Sequence, residues 1–267
     1  MKTVKYLLIA LLVVGFAATV YAAPVGLTSD ADAVEGELWA DNNIGLSVGA
    51  VYDTVRERRI EVDSGAFEMQ AVMARIALSM LDRFNLYVDF GEATDMELDY
   101  TILGEEHTIK YADETIIGVG LSALIYRWDN GFEIGANASY RQADLGIDSV
   151  SVDGTTYSPT DNALTNVTNS DYTEVQGAVE LAWKTDTFAP YVGLKFSDVE
   201  LGSDYTIAPQ QYSDSKGKGS DRSLGAFVGL TITPKIEATP QSEQLSINIE
   251  GRFIDEEALS VGIAYKF

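Results

Sequence analysis

The 267-residue chain contains no cysteine. That excludes disulfide staples and thiolate metal sites, and it fits an oxidising envelope compartment. Histidine occurs once, as His107, so catalysis that pairs a histidine with a serine or an aspartate has a single candidate. His107 sits in Glu105-Glu-His107, at the expected tip of a polar connection and away from any strand end. It reads as a member of a local ion pair or as a bystander, so no enzyme activity, cofactor or metal site is expected. Positive charge is scarce: 18 Lys and Arg stand against 41 Asp and Glu, a formal net charge of −23. So acidic a chain lacks the basic footprint of a nucleic-acid binder. Beyond the N-terminus there is also no apolar run near the ~20 residues that a spanning helix needs.

The N-terminus itself has the layout of a secretory signal. Met1-Lys-Thr-Val-Lys5 is basic, Leu7 to Val20 is apolar, and Val20-Tyr-Ala22 fits an A-x-A-like cleavage site. The competing reading, a membrane anchor, is disfavoured because the run is short. Removal of residues 1–22 leaves 245 residues and takes Lys2 and Lys5 with it, so the net charge becomes −25. Residues 23–43 are acidic and small, without sustained period, and are expected to form a periplasmic N-terminal segment.

From Ile44 to the end, apolar and polar residues alternate with period 2, the pattern of strands with one apolar face. Ten such segments recur: Ile44–Tyr52, Phe67–Met80, one starting at Phe84, Ile117–Tyr126, Phe132–Arg141, Glu174–Trp183, Phe188–Ser197, Leu224–Ile232, Leu245–Phe253 and Leu259–Phe267. Each is close to the ~9–11 residues of a tilted membrane strand. Short connections (Leu81-Asp-Arg83, Trp128 to Gly131, Lys184-Thr-Asp-Thr187) alternate with long polar ones: Asp53 to Ala66, Glu92 to Glu114, Asp144 to Asp171 and Asp198 to Arg222. Asn130-Gly131 suggests a type I′ hairpin. Two connections fit poorly, Thr233 to Gln244 being long for an inner turn and Asp255-Glu-Glu257 short for an outer loop. Two of the long loops look like hairpins themselves, across Gly104-Glu105 and Asp153-Gly154. Ser203 to Ser220 reads as mobile.

Aromatic residues mark both ends of the apolar face. Phe84, Phe132, Trp183, Phe188 and Phe267 fall at the inner ends, and Tyr52, Phe90, Tyr140, Phe196 and Phe253 at the outer ends. Two belts flanking an aliphatic band are what a bilayer selects; a soluble sandwich or lipocalin-like barrel alternates without them. With its signal sequence, belts and a final strand ending Tyr265-Lys-Phe267, the chain resembles the bacterial outer-membrane β-barrel superfamily over Ile44 to Phe267. The expected fold is all-β, a transmembrane antiparallel up-and-down barrel of about ten strands, with eight or twelve as alternatives. The resemblance further implies a monomer in the cell outer membrane. Its partners would be lipid, lipopolysaccharide and the barrel-assembly machinery, which would read Tyr265 and Phe267.

Charge on the opposite face is expected in the lumen. The cations there are Arg75, Arg141, Lys195, Arg252 and Lys266, and the anions are Asp89, Glu133, Glu174, Glu180 and Glu250. A three-residue turn at Leu81-Asp-Arg83 sets Met80 against Phe84 and Arg75 directly opposite Asp89. A Thr185-Asp186 turn sets Lys195 diagonal to Glu174. Cross-strand opposite charges stabilise modestly, and charge within the membrane must be paired or wet. Ten strands lie nearer the filled eight-stranded barrel than the open porin, so a salt-bridged plug or narrow pore is favoured over an open one.

The outer loops carry Glu92, Asp95, Glu97, Asp99, Glu105, Glu106 and Asp113 without any calcium-loop spacing. They read as a solvated surface that concentrates small cations at the mouth. The basic island Arg56-Glu-Arg-Arg59 either touches lipopolysaccharide phosphates or, more simply, pairs with Glu57, Glu61 and Asp63. The resulting expectation is a small porin-like or structural barrel with a cation preference. A surface interaction or adhesion protein acting through its loops is the alternative.

Overall fold

The computed structural model describes residues 44–60, 65–81, 83–102, 104–161, 164–168, 170–207, 210–218, 223–234 and 245–267. The expected signal peptide and residues 23–43 lie outside them, as do Glu61, Asp63 and most of Thr233 to Gln244. Every regular element among the described residues is a strand. They are β1 (Ile44–Ile60), β2 (Gly65–Met80), β3 (Phe84–Ile102), β4 (Glu105–Tyr111), β5 (Glu114–Arg127), β6 (Phe132–Leu145), β7 (Ile147–Val152), β8 (Thr155–Tyr157), β9 (Leu164–Thr168), β10 (Ser170–Trp183), β11 (Phe188–Ile207), β12 (Gln210–Lys218), β13 (Leu224–Ile232), β14 (Leu245–Phe253) and β15 (Glu256–Lys266).

Ten of them close a ring in the order β1, β2, β3, β5, β6, β10, β11, β13, β14, β15. β15 returns to β1 with Tyr52 opposite Val261, and Phe267 N donates to Leu46 O at 3.0 Å. Closure leaves no sheet edge along the ring, which is what lets strands cross a bilayer. The ten ring strands are those that the alternation marks out. Both ends of the ring, near Ile44 and Phe267, lie on the side of the short turns.

The outer face is apolar and open to its surroundings, with Val72 60%, Ile76 58% and Leu194 60% exposed. An aqueous solvent would not tolerate so continuous a band; lipid does. The belt residues Tyr52, Phe84, Phe90, Phe132, Tyr140, Trp183, Phe196, Phe253 and Phe267 all point outward, and Phe188 is half-buried. Tyr126 and Trp128 add an edge-on aromatic pair at the inner end, with ring centroids 4.7 Å apart.

Among the described residues the long connections are mostly strand. β1 runs on to Ile60 and β2 begins at Gly65, so the segment expected to be a loop from Asp53 to Ala66 is mostly strand. β3 continues to Ile102 and turns at Gly104 into β4, with Ile102 opposite Glu105. β7 turns at Asp153-Gly154 into β8, as the hairpin pattern suggests. β9 and β12 both pair with the upper part of β11 and were not anticipated. Backbone pairing thus extends into the segment expected to be mobile.

Two turns differ from expectation. At Trp128 to Gly131 only Gly131 has positive φ (87°), and its N donates to Trp128 O at 3.1 Å. A type I′ turn needs positive φ at both central residues, so the hairpin is instead a turn closed by one left-handed glycine. At residues 184–187 the connection is four residues long, with Ala182 opposite Tyr191. That register places Lys195 opposite Ala178 and Glu174 opposite Val199, so the Lys195–Glu174 diagonal does not form.

Candidate functional site

The barrel interior has three levels. The lowest, toward the termini, is lined by small and polar side chains including Ser47, Ser79, Ser122, Asn137, Thr231 and Ser246. Three aromatic rings fold against the wall here. Tyr87, Tyr191 and Phe227 each face a glycine across the strand: Gly120, Gly229 and Gly193. A Cβ at Gly120 or Gly229 would lie 2.1 Å from the tyrosine Cζ, so the absent side chain is what lets the ring lie flat. Tyr191 OH donates to Glu250 Oε2 at 2.9 Å and contacts the Asn248 amide.

The middle level is an ion-pair network. Arg75 grips Asp89 through two hydrogen bonds of 2.7 Å, in the register that the Leu81-Asp-Arg83 turn sets. The Arg75 guanidinium also lies over the Tyr87 ring. Arg141 donates to Asp53 at 2.9 Å and approaches Asp89 at 4.0 Å. Arg252 donates to the other Asp53 oxygen at 2.7 Å and lies 3.7 Å from Glu250. Arg58 donates to Glu174 at 2.8 Å and lies 3.2 Å from Glu256. Lys195 contacts Asp255 at 2.9 Å and also Glu256. Glu133 pairs with Arg127 at the inner end. Glu180 and Lys266 also point inward and are buried.

Several partners come from places assigned to loops. Asp53, Arg58, Asp255 and Glu256 belong to the network, whereas the sequence pattern puts them in outer connections. Arg58 is not paired with Glu57; that role falls to its exposed neighbour Arg59, at 3.2 Å. A bulge between Val55 and Glu57 explains the misreading. One inserted residue reverses the inside-outside parity of a strand, so Val51, Asp53 and Val55 face inward on odd numbers and Arg58 and Ile60 on even ones. The signal that could have found Arg58 is the apolar Ile60 two residues on.

The top level is apolar. Phe67, Met69, Met73, Met96, Ile109, Ile116, Leu145, Val150, Tyr172, Val199 and Leu201 belong to one buried cluster. Opposite walls touch within it: Phe67 stacks on Tyr172 with ring centroids 5.7 Å apart. His107 lies here too, on β4 close to the Gly104 turn but buried rather than exposed. It is 1% exposed, stacks on Tyr100, and its Nδ1 is 2.9 Å from Tyr205 OH, which in turn meets Tyr100 OH. Burial holds the imidazole below its ordinary pKa, against the opposing pull of Glu105 and Asp153.

Glu92, Asp95 and Glu106 are exposed on the outside of this upper region. Partial burial, helped by the Glu97 and Asp99 carboxylates, raises the Glu68 carboxyl above its ordinary range. Lys110 is raised by its hydrogen bond to Glu97, at 2.7 Å. Among the described residues no group of three His, Asp or Glu side chains is placed to hold a metal.

A closed antiparallel ring of ten strands, apolar and aromatic outside and polar within, defines an outer-membrane β-barrel protein. No family model and no curated protein matches the chain. Among solved structures it is similar to the translocator domain of the autotransporter NalP from Neisseria meningitidis, at 9% identity and TM-score 0.47, over 84% of this chain and 88% of that one. It is similar also to the outer membrane protease OmpT from Escherichia coli, at 10% identity and TM-score 0.43, over 84% and 96%. The outer membrane protein OprG from Pseudomonas aeruginosa aligns at 9% identity and TM-score 0.38, over 84% and 95%. At these identities the likeness concerns fold alone.

Proposed function

We propose that this protein is a monomeric, non-catalytic structural barrel of the outer membrane whose lumen is closed at rest and passes little, with a preference for small cations when it conducts. One observation carries the reading. The charged side chains that face the lumen are almost wholly out of reach of solvent: Asp53 and Arg252 are 0% exposed, Lys195 1% and Glu174 2%. A water-filled channel would wet them. Charges so placed persist only because each meets a partner, and the apolar cluster above them leaves ions no hydrated path. The acidic outer surface supports the cation preference by raising local cation concentration.

Planar-bilayer conductance tests this. Small or absent steps are expected for the purified protein, with any residual current carried by cations. A large, anion-selective conductance overturns it. For the mouth, neutralising Glu92, Asp95, Glu97 and Asp99 together should weaken the ion preference.

A second reading has its own support. The described parts of the outer connections are largely paired strand, so they offer an acidic platform for a surface partner. Shortening the β3–β4 hairpin while the barrel stays folded should then abolish adhesion. Lipopolysaccharide is the partner that either reading places against the outer wall.

A further inference from the structure

Of the outer connections between ring strands, the shortest is the one between β14 and β15, just Ile254 and Asp255. On one side β1, which pairs with β15, runs on to Ile60; on the other β13 begins at Leu224, and β11 beyond it rises to Ile207. The tip therefore ends level with the ion-pair network, where Arg58 lies opposite Glu256 and Ala226 opposite Phe253.

At this tip the side chains divide. Ile254 is exposed on the outside, while Asp255 and Glu256 turn inward and are buried. Lys195 contacts both carboxylates, Ser197 Oγ donates to Asp255 at 2.8 Å, and Arg58 reaches Glu256. Asp255 can seat only because residue 225 is glycine; a Cβ there would lie 1.9 Å from Asp255 Oδ1. The backbone resists this seating. Ile254 has φ of 92°, a left-handed conformation that a β-branched residue adopts only when its surroundings impose it. A strained tip, held by Lys195 and Ser197 of β11 and by Arg58 of β1, has the parts of a latch.

We propose that the β14–β15 tip is a movable gate, latched onto β11 by Lys195, whose release opens the middle level of the lumen. This rests on the closed-lumen reading above. With Lys195 neutral, Arg58, already shared with Glu174, is left to face the two buried carboxylates Asp255 and Glu256, and the tip relieves both repulsion and backbone strain by swinging outward toward water.

The absence of native cysteine makes the test clean. Ser260, 1% exposed on β15 below the tip, is replaced by the near-isosteric cysteine (S260C), and a membrane-impermeant maleimide is applied to intact cells. S260C alone is expected to stay protected. S260C/K195M should lose protection and gain bilayer conductance, whereas S260C/K195R should remain protected. G225A removes no charge but displaces Asp255, and S260C/G225A should also lose protection. If K195M does not give a heat-modifiable folded barrel, the G225A pair decides. Labelling of S260C alone as fast as in the variants overturns the gate. So does continued protection in a folded K195M or G225A variant. A large conductance from the unmodified protein instead contradicts the closed-lumen reading and leaves the latch to be judged by labelling.

Discussion

Arg58 on β1 reaches Glu174 on β10, Ser197 on β11 and Glu256 on β15, so one guanidinium answers two carboxylates from different walls. Removing one partner of a buried pair strands the other charge, at a cost of about 3–5 kcal/mol. R58A is therefore expected to lower the unfolding midpoint in detergent by that equivalent. R59A, half-exposed and one residue away, is expected to cost no more than ~1 kcal/mol. Chemical denaturation of both variants followed by gel mobility compares them; equal effects would contradict the assignment of Arg58 to the lumen. His107 makes a second case. Its folded pKa lies below the ordinary 6.5, so the folded upper region binds the proton less well than the unfolded chain. The stability linked to it is complete above pH 6.5 and is lost as pH falls from 6.5 through the folded value. Hydrogen exchange in β4 should accelerate over that range and stay flat in H107Q. The lone imidazole resonance should titrate below 6.5.

At the scale of elements, the strands answer to two media at once. Ile76 sits midway along the membrane part of β2 and faces lipid. I76R should cost ~2–4 kcal/mol, the usual price of a cation near the bilayer centre. Gly229 faces inward against the Tyr191 ring, and G229A should lift that ring from the wall and break its bond to Glu250, costing about 1–3 kcal/mol by overpacking. Refolding into lipid vesicles measures both. A harmless I76R would mean that this face is not in lipid. Strand existence and facing were readable here, because alternation is a property of neighbouring residues. Strand length was not. Asp53 to Ile60 and Asp198 to Leu201 look polar because their outer face carries residues such as Arg56, Arg59 and Glu200, while their inner face carries the apolar residues Val55, Ile60, Val199 and Leu201. Polar content and strand structure coexist once a two-faced sheet rises out of the membrane.

For the whole molecule, ring closure is the event on which everything else depends. Phe267 ends the strand that seals against β1, packing edge-on to Tyr265 with ring centroids 5.1 Å apart. Deleting Phe267 should lower the yield of heat-modifiable barrel in the outer membrane while leaving the conductance of the folded fraction unchanged. Normal yield with altered conductance would place Phe267 in the lumen's business rather than in assembly. Once closed, the ring brings distant segments together. Asp53 and Arg252, almost 200 residues apart in sequence, meet at 2.7 Å. The upper walls likewise meet through Phe67 and Tyr172, whose ring centroids lie 5.7 Å apart.

The sequence by itself determined the compartment, the ten crossings, the lipid face, the belts and the Arg75–Asp89 pair. All are set by period 2 or by one tight turn, which are local. Only the tertiary structure decided which charges share the lumen and which side chains pack above them. Those outcomes depend on registers accumulated around ten strands. A bulge at Val55 moved Arg58 inside, a longer turn at 184–187 took Lys195 from Glu174, and the low β14–β15 tip delivered Asp255 and Glu256 in its place. Each is a displacement of one or two residues that no single strand's pattern records, yet across a closed barrel it selects a different partner.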